Sequence, residues 1–221
     1  MRYSAHVPSR RIAFSLLLPT LSLALWVLLV AVPTTLSYIS LLQSAQHAAV
    51  VTIQKGGFVA TVPREHLFRF AVISATFRFA HVIEAINLPA FSIDLLISRF
   101  SSSWPATWMP SGMPFESWRA ITYPFYCLPF WWFTGLGLDA LLKRRRLRWP
   151  VLLLGTLLCS FFLFLLLGLR FGLSAEDRAE MTYPFWGFGL WVVLLGIFPA
   201  TWLRQGLASR RNVQQRGPLP H

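Results

Sequence analysis

The chain has 221 residues, 55% of them hydrophobic and only 13% charged, with a mean hydropathy of +0.55. A soluble domain carries roughly 25% charged residues, and its interior would be too small for so many apolar side chains, so lipid must cover part of this surface. The net charge of +12 does not point to nucleic acid, because the basic residues gather at the ends of apolar runs, as membrane topology signals do.

The first apolar run, residues 12–33, contains no charged residue. About 20 residues suffice to cross the hydrocarbon core as a helix. Arg10 and Arg11 precede the run, as they would in a secretory signal. Its apolar core is longer than the roughly 7–15 residues of a signal and no A-x-A site follows, so a retained anchor is expected. Residues 36–49 read as an extension of this helix beyond the membrane, with a bend at Pro33.

A long connection, residues 34–118, follows. Within it, residues 50–63 place β-branched residues on both sides of Gly56-Gly57, the pattern of a tight hairpin. An isolated hairpin is marginal in water, so it is expected to lean on helices or on the membrane surface. Residues 65–88 read as a helix stopped by Pro89. Phe68, Val72, Ala75, Phe79, Val82 and Ile86 recur at spacings of three and four and form one stripe. The stripe is open to packing within the chain, to the membrane interface or to a partner helix. Arg69, Arg78 and His81 argue against a fifth span. A short amphipathic helix over 90–100 follows, then an irregular segment with Trp104, Trp108 and Trp118 as interfacial anchors.

Three further spans are expected over 119–142, 149–169 and 181–203. Pro124 and Pro129 predict a kink in the second span, while Pro150 sits in the first turn of the third. A basic turn, residues 143–148, and an outer loop, residues 170–180, join them, and residues 204–221 read as a disordered tail. Placing 1–11, 143–148 and 204–221 on the cytoplasmic side puts twelve of the 20 basic residues there. Seven of the eight acids then fall on the other side or at its edge. Lys and Arg in short loops set topology, so both termini are expected in the cytoplasm, in a pattern that fits a bacterial inner membrane. The fold class is an all-α polytopic membrane protein. Four transmembrane helices carry a large extracytoplasmic loop with a β-hairpin and amphipathic helices.

Thr122-Tyr123-Pro124-Phe125 recurs as Thr182-Tyr183-Pro184-Phe185, with Trp131 and Trp191 at matching offsets. The echo reads either as a duplicated two-helix unit or as one physical solution used twice: a helix start with an aromatic belt. On both readings it is structural.

Candidate chemistry is sparse. Cys127 and Cys159 lie inside apolar runs and offer neither a disulfide framework nor metal-ligand spacing, so they read as small buried hydrophobes. His81 and Glu84 stand at i, i+3 on one helix face and could bind a metal or shuttle a proton; Glu65 and His66 are more than four turns away on the same helix. Asp139 is the one ionisable residue inside a span and is expected to pair with Lys143 or Arg144. Lys143, Arg144, Arg145, Arg146 and Arg148 could meet anionic lipid headgroups, and as a topology anchor they need no ligand. No cofactor or metal is implied, and membrane lipid is the expected partner, with a membrane-protein partner or a homo-oligomer open. The leading functional reading is a non-enzymatic accessory, scaffold or assembly protein. A small oligomeric transporter or channel is the second reading, because Pro124, Pro129, Gly135 and Gly137 resemble a broken helix. A membrane enzyme acting on lipid or envelope substrates at the outer face, through His66, His81 and Glu84, is the third.

Overall fold

The structure is a computed structural model and describes residues 13–45, 50–55, 58–100, 109, 113–143, 146–172 and 182–215. Gly56-Gly57, Trp104, Trp108, Arg144 and Arg145 lie outside the described residues. Among the described residues four helical stretches are long and apolar enough to cross a membrane: Phe14–Ser44, Phe115–Leu142, Trp149–Gly172 and Thr182–Ala208. This supports a multi-pass membrane protein.

The first stretch is one continuous helical path made of α1 (Phe14–Trp26), a π-helical turn (Val27–Ala31) and α2 (Val32–Ser44). Pro33 has no N–H to offer the carbonyl four residues back. The distortion this causes falls before the proline, where the Val32 N–H donates to the Val27 carbonyl five residues earlier. The bend expected at Pro33 is therefore spread over the preceding turn. At the far end of α2, β1 (Val50–Lys55) and β2 (Phe58–Pro63) pair antiparallel, with Val50 opposite Pro63 and Lys55 opposite Phe58. Val62 joins Ala45 and Leu67 in a small core with Tyr38, Leu41, Leu42 and Phe70, so the hairpin leans on the helices.

A single 3-10 turn (Arg64–His66) leads into α3 (Leu67–Ile86). The chain then turns on Asn87 alone and starts α4 (Leu88–Phe100). Pro89 does end α3, but it also opens α4, where a missing N–H at the first turn costs nothing. The buried face of α3 differs from the stripe read in the sequence. Val72 and Ala75 are buried as expected, and Phe79 and Ile86 are half-buried, but Phe68 and Val82 are 57% and 42% exposed. Leu67, Ala71, Thr76, Ala80 and Ile83 are buried instead. The small residues Ala71, Ala75 and Ala80 let α3 approach its neighbours closely, and periodicity alone weights a large side chain over a small one.

The second stretch, α5 (Phe115–Leu142), begins earlier than the irregular segment expected up to Trp118. It runs through Pro124 and Pro129 without interruption. Its glycines are contact points with neighbouring helices. A Cβ on Gly135 would strike the Phe14 carbonyl, and one on Gly137 would lie 3.0 Å from the Phe198 ring. Third comes α6 (Trp149–Gly172). The fourth stretch divides at Gly196 into α7 (Thr182–Leu195) and α8 (Ile197–Gln215). The tail expected to be disordered from residue 204 is helical through Gln215, in keeping with its Leu, Arg, Gln and Ala content. Phe198 and Trp191 are fully buried in a core with Phe162, Phe188 and Leu195.

Asp139 ties the bundle at one end. Its carboxylate lies 2.6 Å from Lys143 Nζ, the i, i+4 pair expected, and also accepts the backbone N–H groups of Phe14 and Ser15 at 3.2 Å each. It therefore caps the start of α1 from a different helix. Arg204 donates to the Ala140 carbonyl at 2.9 Å and to that of Leu141, closing the opposite polarity of α5.

Candidate functional site

The turn between α3 and α4 is held inside the bundle. Asn87 Nδ2 donates to the Ile83 carbonyl at 3.0 Å. Trp131 Nε1 donates to Asn87 Oδ1 at 3.3 Å, Trp191 Nε1 to the Ile86 carbonyl at 2.9 Å, and Cys127 Sγ to the Asn87 carbonyl at 3.1 Å. Trp131 is about midway along α5, so the turn sits beside the middle of a candidate span. Buried away from water, its carbonyls need such donors. The two tryptophan rings meet at 4.8 Å.

The repeated sequence builds this cradle. Tyr123, Cys127 and Trp131 follow one another at i, i+4, i+8 on α5, and Tyr183, Gly187 and Trp191 do the same on α7. Each series forms one stripe of a helix. Gly187 lets α7 approach α3 closely, since a Cβ there would lie 2.7 Å from the Ala85 carbonyl oxygen.

Beside the turn, α3, α4, α5, α6 and α7 line a half-open cavity of about 860 Å³, within the range of small-molecule sites. Its α6 wall is apolar, with Phe161, Phe164, Leu165 and Leu169. The polar groups collect at the other side. Arg119 Nη1 lies 3.9 Å from Glu84 Oε1, and Arg119 Nε 3.7 Å from Asp94 Oδ2. Tyr123 donates its hydroxyl to Asp94 Oδ2 at 2.9 Å. Phe115 stacks under the guanidinium at 3.9 Å, a cation–π contact one helical turn back. His81 stacks on Tyr183 at 4.8 Å with the rings 12° apart. Both tyrosines of the repeat therefore line one cavity, which the structural reading of that motif did not anticipate.

The ion pairs are longer than hydrogen bonds. Glu84 Oε1 and Arg119 Nε are buried without a hydrogen-bond partner, although both side chains are more than a fifth exposed and line the cavity.

Of the residues singled out in the sequence, His81 and Glu84 line this cavity and His66 does not. His66 pairs with Glu65 at 3.7 Å on the exposed 3-10 turn. It is 15 residues, or about 22 Å of helix, from His81. Lys143 is paired with Asp139, while Arg146 and Arg148 are exposed. Sequence reasoning missed Arg119, Asp94, Tyr123 and Tyr183 as site residues. The signal that could have found them is the series Phe115, Arg119, Tyr123 at i, i+4, i+8, together with the repeated tyrosine. Among the described residues no group of three or more His, Cys, Asp and Glu is arranged to hold a metal ion. The chain matches no protein-family model, and comparison with curated proteins and with solved structures found no match.

Proposed function

We propose that this protein is a multi-pass membrane protein that holds a lipid-like amphiphile in the cavity beside α6, as a binding or accessory protein. The observation that carries the reading is the cavity's lining: aliphatic and aromatic along α6, with the charged groups on α3 and α5 and hydroxyls on α4, α5 and α7 set among apolar neighbours such as Leu88 and Phe91. An amphiphile satisfies both sides at once, with its chain against Phe164 and Leu169 and its head at Glu84 and Arg119. On this reading α3 and α4 form a re-entrant helical hairpin. They descend from the outer side to the middle of the bilayer and return, which backbone at that depth requires donors such as Trp131 and Trp191 to support. The orientation with both termini cytoplasmic is supported by Lys143, Arg146, Arg148 and Arg204 standing at the end where α1 begins. A bacterial inner membrane remains the proposed location.

Gly168 supplies the test. It lines the cavity, and a Cβ there meets nothing within 4 Å. Gly168→Phe should fill the cavity without disturbing the fold. Native mass spectrometry of the protein released from its own membrane should show a retained lipid on the wild type and its loss from Gly168→Phe. Retention of the same lipid by both would refute the cavity as its site.

A second reading, an enzyme acting on lipid or envelope substrates, is favoured by His81 and Glu84 standing together on the cavity wall. It predicts that His81→Ala combined with Glu84→Ala abolishes a cellular phenotype while abundance is unchanged. A double variant that behaves as wild type would end that reading.

A further inference from the structure

The charge around the cavity mouth selects among amphiphiles, and this inference rests on the amphiphile-binding reading above. One guanidinium, Arg119, stands against two carboxylates, Glu84 at 3.9 Å and Asp94 at 3.7 Å. Glu116 adds a third negative charge close enough to act on Glu84. Among the described residues His81 is the further basic group lining the cavity; Asp94 and Glu116 do not line it, and counted with the lining charges they leave this set with a net negative charge even when His81 is protonated. Asp94 is engaged by Tyr123 as well as by Arg119. Glu84 is less fully engaged: it lines the cavity, and its Oε1 is buried with no hydrogen-bond partner. The Glu84 side chain is 22% exposed, and a carboxylate whose ion pair is 3.9 Å long gains from a ligand that brings a hydrogen-bond donor.

We infer that the cavity takes an amphiphile with a protonated primary amine as its head, bound through Glu84. An ammonium carries three donors and no acceptor, so it complements a carboxylate. A fatty-acid carboxylate in the same place would meet Arg119, but a guanidinium already shared between two acids offers it little, and Glu84 and Asp94 repel it. A neutral alcohol gains neither effect.

The experiment uses the full-length protein in a non-ionic detergent. An alkylamine, an alkanol and a fatty acid of equal chain length are titrated separately, and retention is read by native mass spectrometry. The alkylamine should be retained at about tenfold lower concentration than the alkanol, the difference expected of one charge-assisted hydrogen bond, with the fatty acid weakest. Glu84→Gln should bring alkylamine and alkanol together, while Glu65→Gln on the distant 3-10 turn should leave the preference intact. Equal retention of the three heads, or preference for the fatty acid, would overturn the head-group assignment and leave the cavity reading standing. Preference for the amine that survives in Glu84→Gln would overturn the assignment to Glu84. Retention of none of the three would overturn the amphiphile-binding reading itself. The wild-type head-group series decides the matter even if Glu84→Gln fails to fold.

Discussion

Replacing Trp191 by Phe tests whether the α3–α4 turn is held in the bundle by indole donors. Trp191 is fully buried, donates to the Ile86 carbonyl at 2.9 Å and packs on Phe130 and Trp131. Phenylalanine removes the donor and leaves that carbonyl unpaired, which costs about 1–3 kcal/mol. It also removes part of a large buried ring, and truncations of this kind add about 1 kcal/mol more in a site that cannot collapse. The sum is about 2–4 kcal/mol. Trp131→Phe should cost less, about 1–2 kcal/mol, because its hydrogen bond is longer at 3.3 Å and the ring is half-buried. Trp186, 68% exposed in the same helix as Trp191, is the control, and Trp186→Phe should fall within about 0.5 kcal/mol of wild type. Reversible unfolding by a denaturing detergent in mixed micelles gives the three values. Hydrogen exchange over residues 83–92 should rise in Trp191→Phe before the rest of the bundle opens. A Trp191→Phe protein as stable as Trp186→Phe, with unchanged exchange at the turn, would refute the reasoning.

Other contacts make separate predictions. Tyr123→Phe removes a buried hydroxyl donor from Asp94 and should cost about 1–3 kcal/mol in the same unfolding assay; no change would mean that the carboxylate is satisfied without the tyrosine. Asp139→Asn keeps an acceptor for the start of α1 but loses the Lys143 ion pair, so a loss of about 1–2 kcal/mol is expected, with Asp139→Ala worse. Gly187→Ala should destabilise by about 1–3 kcal/mol through contact with the Ala85 carbonyl. By contrast, Gly189→Ala two residues on, with nothing within 4 Å, should stabilise by up to about 1 kcal/mol. A reporter fused after His221 should read cytoplasmic, and an external reading would reverse the proposed orientation.

The four long apolar helices could be read from the chain because their signal is one of local composition: runs such as residues 149–169 exclude charge over the length that a bilayer demands. The Asp139–Lys143 pair was equally accessible, since i, i+4 spacing brings the two together on any helix. Local pattern could not rank the faces of α3. The stripe through Phe68 and Val82 is the more hydrophobic, yet the bundle buries the alanines, because close helix approach rewards small side chains. Nor could it place the segment from Leu67 to Phe100. Read alone it is two amphipathic helices in a loop. In the fold the turn joining them accepts hydrogen bonds from Trp131 and Trp191, donors that lie far away in the chain. The cavity lies beside that turn. Glu84 and Asp94 are ten residues apart in the chain, and Arg119 lies 25 beyond Asp94. No spacing rule joins them; they meet because α3, α4 and α5 converge on one turn, a long-range arrangement set by packing. The sequence by itself determined the four long apolar helices and the charge at their ends, which depend on neighbours along the chain. The tertiary structure decided which residues share a site, which depends on neighbours in space.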